Sequence, residues 1–191
     1  TTDNLIITHL FGASEVVPYN IAYKYFSIVN MVLSIILTPM WSSISKAYTE
    51  GDFKWIKKTM RTLTMISIGA LIVLIAMVFL SKWFFRIWIG EKVVVPFELT
   101  ICMAIFFMVY NSYAPYTNFI NGTGKIRLQT YTIVVMSLMN IPLAIFLGGR
   151  MGMGLSGVIF STVLCLLPHA VLLPIQYHKI VNHKASGIWN K

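Results

Sequence analysis

Five long stretches of this chain contain no Asp, Glu, Lys or Arg: residues 25–45, 62–81, 99–124, 128–149 and 151–178. They run 21, 20, 26, 22 and 28 residues. A helix needs about 20 mostly apolar residues to cross the hydrocarbon core of a bilayer, so each stretch can span once. The charges crowd into the gaps between them. Only 11% of residues are charged and 57% are hydrophobic, whereas soluble domains carry about 25% charged residues. A soluble chain of 191 residues could not hide so much apolar surface. In lipid every backbone N–H and C=O must be paired internally, so spans are helices or a closed barrel. The runs are continuous rather than alternating with period two, which selects helices. The expected fold class is an all-α polytopic membrane protein.

The first apolar stretch, residues 5–12, is too short to span. Asp3 and Asn4 precede it with no basic lead, which does not fit a signal peptide. We expect the end of a helix whose start lies outside this sequence, and hence a fragment of a larger protein. The expected order is a partial span at 1–12, then spans near 21–45, 62–82, 98–120, 129–149 and 155–177. A basic tail at 178–191 follows.

Lys and Arg placement sets the expected orientation. Lys46, Lys54, Lys57, Lys58, Arg61, Lys125, Arg127, Lys179, Lys184 and Lys191 fall on one side; Lys82, Arg86, Lys92 and Arg150 fall on the other. The positive-inside rule puts the richer side and the tail in the cytoplasm. The net charge of +9 is then met by anionic membrane lipids, and no nucleic-acid motif competes with that reading. In the largest cytoplasmic loop, Asp52 can cap a short helix whose Phe53, Ile56, Met60 and Leu63 share a face. We expect that helix to lie along the membrane as a connector. Trp83, Phe84, Phe85 and Trp88 outside, with Trp41, Tyr48 and Trp55 inside, read as interfacial belts.

Enzymatic signatures are missing. The acids are Asp3, Glu15, Glu50, Asp52, Glu91 and Glu98, with no pair at helical spacing inside a span. The four histidines form no metal or triad motif, Cys102 and Cys165 lack metal spacing, and no phosphate-cradling loop occurs. No cofactor and no metal are expected. The sequon Asn121-Gly122-Thr123 falls on the cytoplasmic side and reads as a helix-ending turn.

The polar groups inside the membrane carry the information. Asp3 lies ~13 Å and Lys24 ~9 Å from the outer turn at 1.5 Å per residue, so adjacent helices could bring them together. An intramembrane ion is costly unless paired or wet, which makes both functional candidates. Lys24 has three open roles: substrate contact, a pair with Asp3, or snorkelling outward. Asn20, Tyr23 and Asn30 near the first hairpin, and Asn111 and Asn118 later, are candidate cavity residues. Asn4, Tyr19, Tyr116 and Asn140 extend the polar set, much of which serves as interhelical glue. Pro39, Pro115, Pro142, Pro168 and Pro174 are expected to kink or break spans around a polar midplane, as in transporters. His169, beside Pro168, could join that polar midplane, although satisfied packing is the expected role.

Several segments resemble the second lobe of bacterial polysaccharide flippases. These are O-antigen-type transporters of the multidrug/oligosaccharidyl-lipid/polysaccharide (MOP) exporter superfamily. The segments are Thr2-Asp3-Asn4-Leu5-Ile6-Ile7, Phe11-Gly12 and Val17-Pro18-Tyr19-Asn20-Ile21-Ala22-Tyr23-Lys24, followed by Pro39-Met40-Trp41 and Gly51-Asp52-Phe53-Lys54-Trp55. Asn121-Gly122-Thr123-Gly124-Lys125 and Gly152-Met153-Gly154-Leu155-Ser156-Gly157 are similar to its later loops.

The resemblance implies a MATE-like, roughly 12-helix transporter of two six-helix lobes. This chain would be the C-terminal lobe, with its first helix truncated. It implies a non-enzymatic protein of the bacterial inner membrane that flips polyprenyl pyrophosphate-linked oligosaccharide by alternating access. Lys24 would attract the pyrophosphate or acidic sugar, and Asn and Tyr groups would bind hydroxyls. Asp3 would hold a coupling H⁺ or Na⁺. The resemblance leaves room for contact with polysaccharide assembly proteins. A drug/cation antiporter of the same superfamily and a membrane glycosyltransferase or polymerase remain open as alternatives.

Overall fold

The computed structural model describes residues 2–90 and 93–191. Thr1, and the Glu91 and Lys92 charges counted above, lie outside the described residues. Among those described, all regular structure is helical. In order come α1 (Thr2–Phe11), α2 (Val16–Thr49), α3 (Phe53–Ile89), α4 (Phe97–Thr123), α5 (Arg127–Ala144) and α6 (Gly154–Val181). A π-helical turn, Ile145–Arg150, extends α5, and 3₁₀ turns occupy Ala13–Glu15 and Gly187–Asn190. Five helical segments are long and apolar enough to cross a membrane. The chain is a multi-pass membrane protein.

Helix α4 is the hub, packed against α2, α3 and α6, while α5 lies on α6 and α1 rests mainly against α6. Burial follows that order. Helix α4 buries Leu99, Met103, Ala104, Phe107, Phe119 and Ile120, whereas α5 buries only Leu128 and Ala144 along its length. Val134, Leu138 and Met139 of α5 are exposed apolar residues, as a lipid-facing helix requires.

The connector helix expected after Asp52 is not a separate element. Asp52 does cap it, its carboxylate accepting the Trp55 N–H at 2.9 Å. The helix then runs unbroken to Ile89. The reason is a buried seam, Ile56, Met60, Leu63, Ser67, Ala70 and Leu74, that keeps helical spacing across the basic stretch with no proline to stop it. Prolines also fail to break spans. Pro39, Pro115, Pro142, Pro168 and Pro174 all lie inside continuous helices, and α5 widens into its π turn three residues after Pro142. Phe85, expected in an aromatic belt, is core: it is buried and stacks edge-on with Tyr25 at 5.1 Å.

Helix α4 ends at Thr123, and Gly124 adopts the left-handed conformation (φ 71°) that closes such a terminus. Gly122 has another task. A Cβ there would stand 3.0 Å from Ile44 Cγ2 and 3.2 Å from the Trp41 carbonyl, so its absence lets α4 press against α2. Beyond α6, residues 184–191 fold back over the α4–α5 turn. Gln176 donates to the Lys125 and Trp189 carbonyls at 3.0 and 3.2 Å, and the Arg127 N–H donates to the Lys191 carbonyl at 3.1 Å. The Lys179 ammonium sits 3.8 Å over the Trp189 ring.

Candidate functional site

The site is built first on α2. At about 100° per residue, Asn20, Lys24, Ser27, Ser34, Thr38, Ser42, Ser45 and Thr49 all fall within about 40° of one line along the helix. Met31 is the apolar member of that line. From Asn20 to Ser45 the stripe covers ~38 Å at 1.5 Å per residue, more than the ~30 Å hydrocarbon thickness. Five of its hydroxyls donate locally: Ser27 to the Lys24 carbonyl, Ser34 to Asn30, Thr38 to Ser34, Ser42 to Pro39 and Thr49 to Ser45. The backbone thus supplies their first hydrogen bond, and their lone pairs remain free to accept.

One cavity opens beside this stripe, and a second adjoins it on the far side. The first, of about 280 Å³, is walled by Asn30, Ser34 and Thr38 of α2, Tyr110, Tyr113 and Asn118 of α4, Gln129 of α5 and His169 of α6. The second, of about 470 Å³, lies between α1, α5 and α6, with Asp3, Ser137, Asn140, Thr162, Cys165 and His169 in its wall. Ile133, Leu166 and His169 belong to both. Asn140 donates to Thr162 Oγ1 at 3.0 Å across the second cavity's wall.

The sequence-derived candidates divide. Asn30 and Asn118 meet in the first cavity, where Asn118 also donates to the Ala114 carbonyl at 3.0 Å. Asp3 lines the second. Its carboxylate accepts the Tyr19 hydroxyl at 2.6 Å, so the partner of Asp3 is a phenol. Among the described residues Asp3 and Lys24 form no ion pair; Lys24 stands exposed on the α2 stripe. Tyr23 turns toward α4, its ring centroid 5.3 Å from that of Phe107. Asn20 is half-buried, and Asn111 is fully buried with neither amide atom hydrogen-bonded. Asn20, Tyr23, Lys24 and Asn111 are not in the wall of either cavity.

His169 is buried and packs against the Tyr113 ring, and it also reaches the cavities, the other role the sequence left open. It lies between the cavities, its Nε2 is 3.2 Å from Thr132 Oγ1, and its Nδ1 is buried without a partner. Gln129, Ser34 and Thr38 also escaped the sequence reading. The i, i+3, i+4 spacing of small polar residues down α2 was the available signal for Ser34 and Thr38. Gln129 carried none, because nothing local says which face of α5 is turned inward.

A bundle of membrane-crossing helices that keeps a membrane-length polar stripe and two cavities with polar side chains in their walls is built like a transporter, not like a passive anchor. The sequence model of the MatE family matches residues 1–146. The chain belongs to the MatE family, and is a membrane transporter of the MOP superfamily. No curated protein and no solved structure matches it.

Proposed function

We propose that this chain forms the C-terminal lobe of a flippase. The flippase would move oligosaccharide linked to polyprenyl pyrophosphate across the bacterial inner membrane by alternating access. The observation that carries this reading is the chemistry of the polar face. It offers hydroxyls, amides and tyrosines over the whole thickness of the bilayer, and a single cation, Lys24, near one end. Neutral hydrogen-bonding groups suit sugar hydroxyls. One cation beside the outer turn suits a pyrophosphate, whose attraction to it grows as the local dielectric falls. The lipid tail would stay in the bilayer while the head group crosses beside α2. Residues 53–61 carry Lys54, Lys57, Lys58 and Arg61 exposed, a surface suited to anionic lipid.

One observation favours a second reading. Asp3, hydrogen-bonded to Tyr19 in the wall of the second cavity, is an acid placed where H⁺ or Na⁺ could couple to transport. The same acid could serve a drug/cation antiporter.

The test uses the full-length protein in liposomes, following a lipid-linked oligosaccharide from the inner to the outer leaflet. Wild type should transport, and Lys24→Ala should be slowed by about tenfold, the effect of one charge-assisted contact. If no lipid-linked sugar moves while an organic cation is exported, the flippase reading fails and the antiporter takes its place.

A further inference from the structure

The stripe of α2 runs on into a further cavity at the basic end of the bundle. This cavity, of about 600 Å³, has the stripe residues Ser42, Ser45 and Thr49 in its wall, together with Asn121 and Thr123 at the end of α4. Trp41 and Tyr48 supply its aromatic surface, and Trp41 is 54% exposed. Lys24 lies toward the opposite end of the stripe, ~38 Å from Thr49 at 1.5 Å per residue.

The charge balance narrows what fits. No Asp or Glu is among the residues that line the cavity. Lys125, next in sequence to the lining residue Gly124, is half-buried, and its ammonium stands 5.5 Å from the centre of the Tyr48 ring. The Asn190 side-chain oxygen accepts from the same ammonium, and Gln176 donates to the Lys125 carbonyl. The fold-back of residues 184–191 thus holds the cation beside the cavity. Neither contact brings a negative charge, and among the described residues no carboxylate pairs with Lys125. A half-buried cation without a counter-charge attracts an anion more strongly than one in open water. The Ser45 hydroxyl and the Asn121 amide are accessible and have no hydrogen-bond partner among the described residues. Both can donate to an oxyanion. The exposed face of Trp41 offers the apolar contact that a group attached to that anion needs.

We infer that this cavity is the loading site for the diphosphate of the lipid-linked cargo, with Lys125 as counter-charge and Ser45 and Asn121 as donors. The inference rests on the flippase reading above. It gives the transport path a cation at each end, Lys125 where the diphosphate arrives and Lys24 where it leaves.

The experiment measures protection of a single cysteine, Ser42→Cys, from N-ethylmaleimide. It uses the full-length protein in phosphatidylcholine nanodiscs, with the native cysteines replaced. The probes are farnesyl diphosphate, farnesol, inorganic diphosphate and added phosphatidylglycerol. Farnesyl diphosphate should slow labelling, and farnesol should not. The concentration that protects should rise about tenfold in Lys125→Gln, which loses a charge-assisted contact, and about threefold in Asn121→Ala. Lys125→Arg and Lys24→Ala should keep the protection. Melting temperatures identify a Lys125→Gln protein that has merely unfolded, and Asn121→Ala then decides. Absent protection, or protection by any other probe as strong as by farnesyl diphosphate, would overturn the site. So would protection untouched in the folded variants, or lost equally in Lys24→Ala. Failure of the site with intact lipid-linked oligosaccharide transport would leave the flippase reading standing. Protection without such transport would keep the diphosphate site and remove the flippase.

Discussion

Asn111 sits at 0% exposure in the hub helix, with both ends of its amide unpaired. A buried amide without partners costs about 1–3 kcal/mol relative to a satisfied one. Asn111→Leu should therefore raise the melting temperature of the purified protein in detergent, while a drop of several degrees would mean that the amide is satisfied in solution. If the stabilised variant also loses transport, Asn111 is kept for function at the expense of stability. At this scale the sequence was a partial guide. It marked Asp3 and Lys24 as ions out of place in a membrane, yet their pairing depended on how α1 and α2 turn about their axes. Tyr19, 16 residues away in sequence, takes the carboxylate instead. His169 was half-readable: a lone histidine beside a proline marks a place near the cavity but not which of its ring nitrogens finds a partner.

Helices were far more legible than their contacts, because the cost of a charge in hydrocarbon writes each span into the chain as a charge-free run. What those runs leave out is how helices touch. The α5–α6 crossing is the clearest case. A Cβ on Gly157 would lie 2.7 Å from the Gly148 nitrogen and 2.7 Å from the Leu147 carbonyl carbon, inside the π turn that ends α5. Neither contact is the tip of a flexible side chain, so backbone must move. Gly157→Ala should destabilise the protein by about 1–3 kcal/mol, as overpacking does, read as a lower melting temperature in detergent. An unchanged value would show that the two helices are not in backbone contact. The unbroken α3 makes the complementary point: basic residues at 54, 57, 58 and 61 suggest a boundary, but the apolar seam beneath them continues and the helix with it.

For the molecule as a whole, the proposed function makes the polar stripe of α2 the border of the cargo's path. Polar and apolar exposed positions lie on different faces of that helix. Ser27, Ser34, Thr38 and Ser42 lie on the stripe, and Val32 and Ile36 are exposed apolar residues on another face. The decisive measurement is single-cysteine labelling of these six positions in membrane vesicles, with Cys102 and Cys165 replaced and a membrane-impermeant maleimide applied from each side. A water-lined path predicts labelling at the four stripe positions, with the accessible side shifting as the transporter alternates, and none at positions 32 and 36. Stripe positions as inert as 32 and 36 from both sides would mean that no water-lined path runs along α2.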